Sequence, residues 1–150
     1  MKLHHYLLGL ISVLFLSASC QKEGENVLSF TPYLELESIN KEIITEFEDS
    51  IIIYINFEDG DGDLGRQDPD SNSLYIKDFR LNKAEYYHIP PITPDDEKLQ
   101  TIGKFRVFIP TLFVIGSGNE EKTDITIRVK DQSGKWSNSI TTPKITILKQ

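Results

Sequence analysis

The sequence predicts an all-β fold, an antiparallel immunoglobulin-like sandwich of about seven strands. Three observations carry this: apolar residues alternate with polar ones in several short runs, turn signals separate the runs, and no long helical period lies between them. Ile51, Ile53, Ile55 and Phe57 alternate with Ile52, Tyr54, Asn56 and Glu58. Ile125, Ile127 and Val129 alternate with Asp124, Thr126, Arg128 and Lys130, and Phe105, Val107 and Ile109 with Lys104, Arg106 and Phe108. A period of two gives each strand one buried and one wet face.

Strands are expected at 31–38, 50–57, 73–80, 84–89, 103–109, 123–130 and 136–148. The last breaks near Pro143, which has no amide hydrogen for a ladder. Between them stand Asp59-Gly60-Asp61-Gly62, Pro90-Pro91, Gly116-Ser117-Gly118-Asn119 and Ser133-Gly134. Residues 41–48 are read as a short helical turn, against which β-branched Ile43, Ile44 and Thr45 weigh. A parallel α/β sheet is not expected, because no long helical pattern lies between strands.

The first 19 residues differ from the rest. Lys2, His4 and His5 form a polar head, Tyr6 to Phe15 is an uncharged run, and small residues precede Cys20. This is the layout of an export signal, and the run is too short to span a membrane as a helix. The division expected is a signal peptide over 1–19, a lipidated Cys20 and polar tether over 20–29, and a sandwich domain over 30–150. Cys20 is the only cysteine, so an intrachain disulfide and a multi-cysteine metal cage are both excluded.

Residues 17–20 resemble the lipobox of bacterial lipoproteins, with Ser17 where that family has Leu and Leu16 one place earlier. Gln21-Lys22-Glu23 with Glu25 is similar to the surface-display signal of Bacteroidota lipoproteins. The resemblance implies a thiol acylated at Cys20 and an outer-membrane protein facing the cell surface. The stretch from Ile127 to Asn138, with Asp131, Gly134 and Trp136, resembles the final hairpin of bacterial immunoglobulin-like and fibronectin-III-like domains.

The chain carries a net charge of −7; losing Lys2 with the leader leaves 15 basic against 23 acidic residues, a net of −8. Such a domain repels nucleic acid and anionic headgroups, so no nucleic-acid partner is expected and the lipid makes the membrane contact.

One segment carries chemistry. Phe57-Glu58-Asp59-Gly60-Asp61-Gly62-Asp63-Leu64-Gly65 places three carboxylates at alternate positions, and Asp68 and Asp70 follow. Clustered carboxylates repel unless something neutralises them, and a hard cation such as Ca²⁺ does so through oxygen ligands. An EF-hand does not fit: with Asp59 as position one, Leu64 occupies the position that needs Gly. The segment is similar to an Asp-Gly-Asp-Gly-Asp stretch of uncharacterised Bacteroidota sandwich lipoproteins, which implies no activity. In an immunoglobulin-like topology the 58–72 loop and the 131–135 turn share one end. Asp131 then joins Asp59, Asp61 and Asp63 as a candidate Ca²⁺ ligand. The alternative is that the Asp-Gly pairs make solvated turns.

Tyr86, Tyr87 and Trp136 are candidates for an aromatic platform facing a glycan or a protein, the alternative being ordinary packing. His88 has no Ser or Cys nucleophile motif beside it, and acids clustered in a turn define no catalytic cleft. The expectation is therefore a non-catalytic, lipid-anchored accessory or interaction domain working with an envelope complex, with glycan binding as the alternative.

Overall fold

The computed structural model describes residues 27–94 and 99–150. The expected signal peptide, Cys20 and most of the tether lie outside them. The fold is an all-β, immunoglobulin-like sandwich with ten strands among the described residues: β1 (Tyr33–Ile39), β2 (Ile43–Thr45), β3 (Ile51–Asp59), β4 (Leu74–Asp78), β5 (Glu85–Tyr87), β6 (Thr101–Ile109), β7 (Glu120–Thr123), β8 (Ile125–Val129), β9 (Ile140–Thr141) and β10 (Ile145–Leu148). One sheet has the order β1-β3-β6, the facing sheet β5-β4-β8-β9, and a third β2-β10-β7.

Alternation drives the packing. Ile51, Ile53, Ile55 and Phe57 of β3 and Ile125, Ile127 and Val129 of β8 are all buried, and they meet between the two main sheets. Burying one such side chain contributes about 1.5–3 kcal/mol, so these two strands supply much of the stabilisation. β3 is the centre of its sheet, paired antiparallel with β1 and β6, and β8 is central in the other, between β4 and β9.

Two strand pairs step from one sheet into another. β8 is continuous with β7 apart from Asp124, and β9 continues into β10 beyond Pro143. At the step the Thr142 amide donates to the Ile125 carbonyl, and the Ile125 amide donates to the Thr142 hydroxyl. The break at Pro143 is the one expected from its missing amide hydrogen. On this flank Asn138 substitutes for a strand partner: its side chain accepts from the Leu34 amide and donates to the Leu34 carbonyl, both at 2.8 Å.

The helical turn expected at 41–48 is corrected. Ile43–Thr45 is a strand, paired parallel with β10, and Ile44 is buried. The β-branched residues follow their strand preference once β10 supplies an edge.

Candidate metal centre

The inward series of β3 does not stop at Phe57. Two residues on, Asp59 takes the next core-facing position and is fully buried. The inward series of β8 likewise carries past Val129 to Asp131, also fully buried. Two strands from facing sheets thus each end in a carboxylate at the same end of the core.

The loop after β3 is folded tightly. Gly62 has φ of 65°, and a Cβ there would lie 2.2 Å from the Leu99 carbonyl oxygen. Gly65 has φ of 90° and is pressed against Pro90 in the same way. Only glycine fits either place. Leu64 is buried and bridges Asp131, and the Gln132 amide donates to the Asp63 carbonyl at 3.0 Å. The loop and the 131–135 turn are therefore laced together.

One oxygen from each of Asp59, Asp61 and Asp63 lies within 4.8 Å of the others. Asp131 stands outside that tight group but close enough that its charge acts on Asp63. Five buried oxygens of these four aspartates have no hydrogen-bond partner among the described residues: both of Asp59, Oδ1 of Asp61, Oδ1 of Asp63 and Oδ2 of Asp131. The remaining oxygens of the last two accept backbone hydrogens, Asp63 from Ser133 at 3.1 Å and Asp131 from Lys135 at 2.7 Å. Arg66 donates to the carbonyls of Asp131 and Gln132, and among the described residues it pairs with no carboxylate.

The electrostatics follow. Burial, then the charges of Asp63 and Asp61, push Asp59 up to about 6; the Leu64 amide opposes this weakly, from outside good hydrogen-bond geometry. Burial, then the charges of Asp131 and Asp61, push Asp63 up as well, against the Ser133 hydrogen bonds. Buried carboxylates without partners are costly. Oxygen donors converging from two segments are what a hard divalent cation coordinates. Asp68 and Asp70 are not part of this group: Asp68 accepts from the Asp70 amide and the Ser71 hydroxyl in an exposed turn.

Of the aromatic candidates, the structure brings Tyr86 and Trp136 onto the outer face of the β5-β4-β8-β9 sheet. Tyr75 lies between them, 5.5 Å from Tyr86 and 6.3 Å from Trp136. Arg128 and Lys130 both sit over the Trp136 ring, at 5.1 and 5.6 Å. Tyr87 is separated from this strip, on the opposite face of β5, where its hydroxyl donates to Glu85. The His88 ring nitrogen Nδ1 lies 3.2 Å from the Ser71 carbonyl.

A second charged cluster escaped the sequence reading. Arg80 forks onto Asp78, donates to Glu121 at 2.8 Å, and reaches the Phe113 carbonyl at 2.7 Å. Burial raises the Asp78 pKa, but hydrogen bonds from Arg80 and Thr123 outweigh it and leave it below its ordinary value. Backbone amides of Ile115 and Gly116, then Arg80, hold Glu121 low. Arg80 and Glu121 lie 41 residues apart, and no motif announces the pair.

No protein-family model matches the chain, and no curated protein does.

Proposed function

We propose that the chain is a non-catalytic, lipid-anchored interaction module of the cell envelope whose loop end is held together by a divalent cation, Ca²⁺. The observation that carries the cation is the set of buried, unpartnered carboxylate oxygens on Asp59, Asp61, Asp63 and Asp131, drawn from the ends of β3 and β8. A cation there neutralises charges that no Lys or Arg side chain pairs with among the described residues. It joins the two main sheets at one end and stabilises the domain by binding only the folded form. The anchor rests on the leader pattern and Cys20, and the envelope setting on the resemblance to Bacteroidota surface lipoproteins.

Calorimetric titration with Ca²⁺ after EDTA treatment tests the cation. The expected result is a single saturable site and a melting temperature that rises with Ca²⁺, both lost in Asp61→Ala. Absence of heat together with an unmoved melting temperature refutes it. The anchor is tested separately: Cys20→Ser is expected to move the protein from the detergent phase to the aqueous phase.

Glycan binding by the Tyr75, Tyr86 and Trp136 strip is the second reading, supported by the half-exposed Tyr86. The two cations over Trp136 cover an indole that a sugar would otherwise stack on. Glycan-array binding abolished by Trp136→Ala supports this reading.

A further inference from the structure

The flank of the sandwich opposite Asn138 is not closed. Among the described residues β6 is the last strand of its sheet and β5 the last of the facing sheet, and neither pairs with the other. Between them opens a groove of about 610 Å³. Its floor is apolar: Leu74, Ile76, Val107, Leu112 and Ile125. At its rim Leu81, Phe108 and Phe113 leave apolar surface in water. A volume of this size, an apolar interior and a few polar groups describe a small-molecule site.

The charges along it are uneven. Its acids are already engaged, Asp78 by Arg80 and Glu85 by the Tyr87 hydroxyl. Lys83 and Arg106 also line it, and neither side chain has an ion pair or hydrogen bond among the described residues. Free cations beside an apolar groove are the more notable on a chain of net charge −7. Their complement is a ligand with an alkyl body and an anionic head. We infer that this groove binds a monomeric anionic single-chain amphiphile, a fatty-acid carboxylate, with its chain on the apolar floor and its head toward Lys83 and Arg106.

Position argues for a free molecule over a lipid still in a bilayer. Asp59 pairs with Thr101 at one end of β6, and Ile51 with Ile109 at the other. The groove runs from Leu74, paired with Val129 near the acidic end, toward Ile109; its cation Arg106 stands five residues along β6 from Thr101, about 17 Å from the acidic loop. The N-terminal segment meets the domain at the acidic end, where the Gly60 amide donates to the Ser29 carbonyl. The cationic side of the groove is therefore set back from the end at which an anchor at Cys20 would enter. This choice of source rests on the anchor proposed above; the groove's chemistry does not.

The test is isothermal titration of the full chain carrying Cys20→Ser with sodium laurate below its micelle concentration, in EDTA because Ca²⁺ precipitates the soap. One saturable site is expected. Lys83→Glu with Arg106→Glu is expected to weaken laurate about tenfold while leaving dodecyl maltoside, which has the same alkyl length and an uncharged head, unaffected. Ile76→Trp is expected to abolish binding of both; should it unfold, the charge-reversal pair still decides, because both side chains are exposed. Absence of saturable laurate binding, or laurate affinity unmoved by the charge reversal, overturns the inference. Binding to phosphatidylglycerol vesicles without laurate binding overturns it too, in favour of a membrane surface. If Cys20→Ser leaves detergent partitioning unchanged while laurate still binds, the anchor fails and the groove stands.

Discussion

The two ends of this sandwich bury carboxylates by opposite means. At one end Asp78 and Glu121 carry their own counter-charge, Arg80, and their pKa values fall. At the other, Asp59 and Asp63 have no cationic side chain paired with them among the described residues, and their pKa values rise. The first end is complete as the chain folds. The second, on the function proposed above, is completed by a charge supplied from outside. A buried acid beside a guanidinium carries its own counter-charge, whereas a buried acid among acids is left with repulsion, which is the basis of the cation proposal.

The largest test of that contrast is Arg80→Met. It leaves Asp78 buried without its partner, and about 3–5 kcal/mol of stability is expected to be lost in urea denaturation. Next comes a matched pair of isosteric changes, measured in EDTA. Asp78→Asn is expected to cost about 2 kcal/mol through weakened charged hydrogen bonds. Asp59→Asn is expected to gain about 1 kcal/mol, because it removes a charge whose burial is uncompensated, and to abolish the response to Ca²⁺. If both substitutions destabilise equally, the contrast between the ends is lost.

The pH dependence separates the ends further. Asp59 sits at about 6 in the folded chain against 3.8 as its ordinary value. Its raised pKa contributes stability that is fully present below 3.8 and disappears as pH rises through 6. Asp78 is shifted the other way, so its contribution is present above 3.8 and is lost as pH falls through its lowered value. In EDTA the melting temperature is therefore expected to fall from about pH 4 to about pH 7, and saturating Ca²⁺ is expected to remove that fall. A profile flat in EDTA across this window contradicts the assignment. The smallest expected effect is that of Lys104→Ala, which removes an exposed pair with Glu37 on the sheet surface. A change within about 0.5 kcal/mol is expected, since solvent screens such pairs.

Much of the fold is legible where one strand's own residues decide it. The alternation from Ile51 to Phe57 and from Ile125 to Val129 marks the two central strands, because burial on one face acts at every second residue. The same alternation, carried one step further, reaches Asp59 and Asp131, so the buried acids are written in the period as well as in the loop motif. What a distant partner decides is not legible. Ile43–Thr45 becomes a strand only because β10 lies beside it, and Glu120–Thr123 has no apolar alternation, so its pairing with β10 leaves little local trace. Tyr86 and Tyr87 look equivalent in sequence, yet consecutive strand residues face opposite ways, and only one joins the aromatic strip. The groove depends on which edges remain unjoined, which no single segment records.

The hydrogen bond from Gly60 to Ser29 has a mechanical side. A Cβ on Gly60 would lie 2.4 Å from the Leu28 carbonyl oxygen, and Lys135 reaches the Phe30 carbonyl, so the incoming chain is seated directly on the acidic loop. In a protein tethered from that side, any tug on the tether arrives first at the loop that Asp59, Asp61 and Asp63 share. A bound cation would then stiffen the point where force enters the domain, and its removal would leave that joint the first to yield.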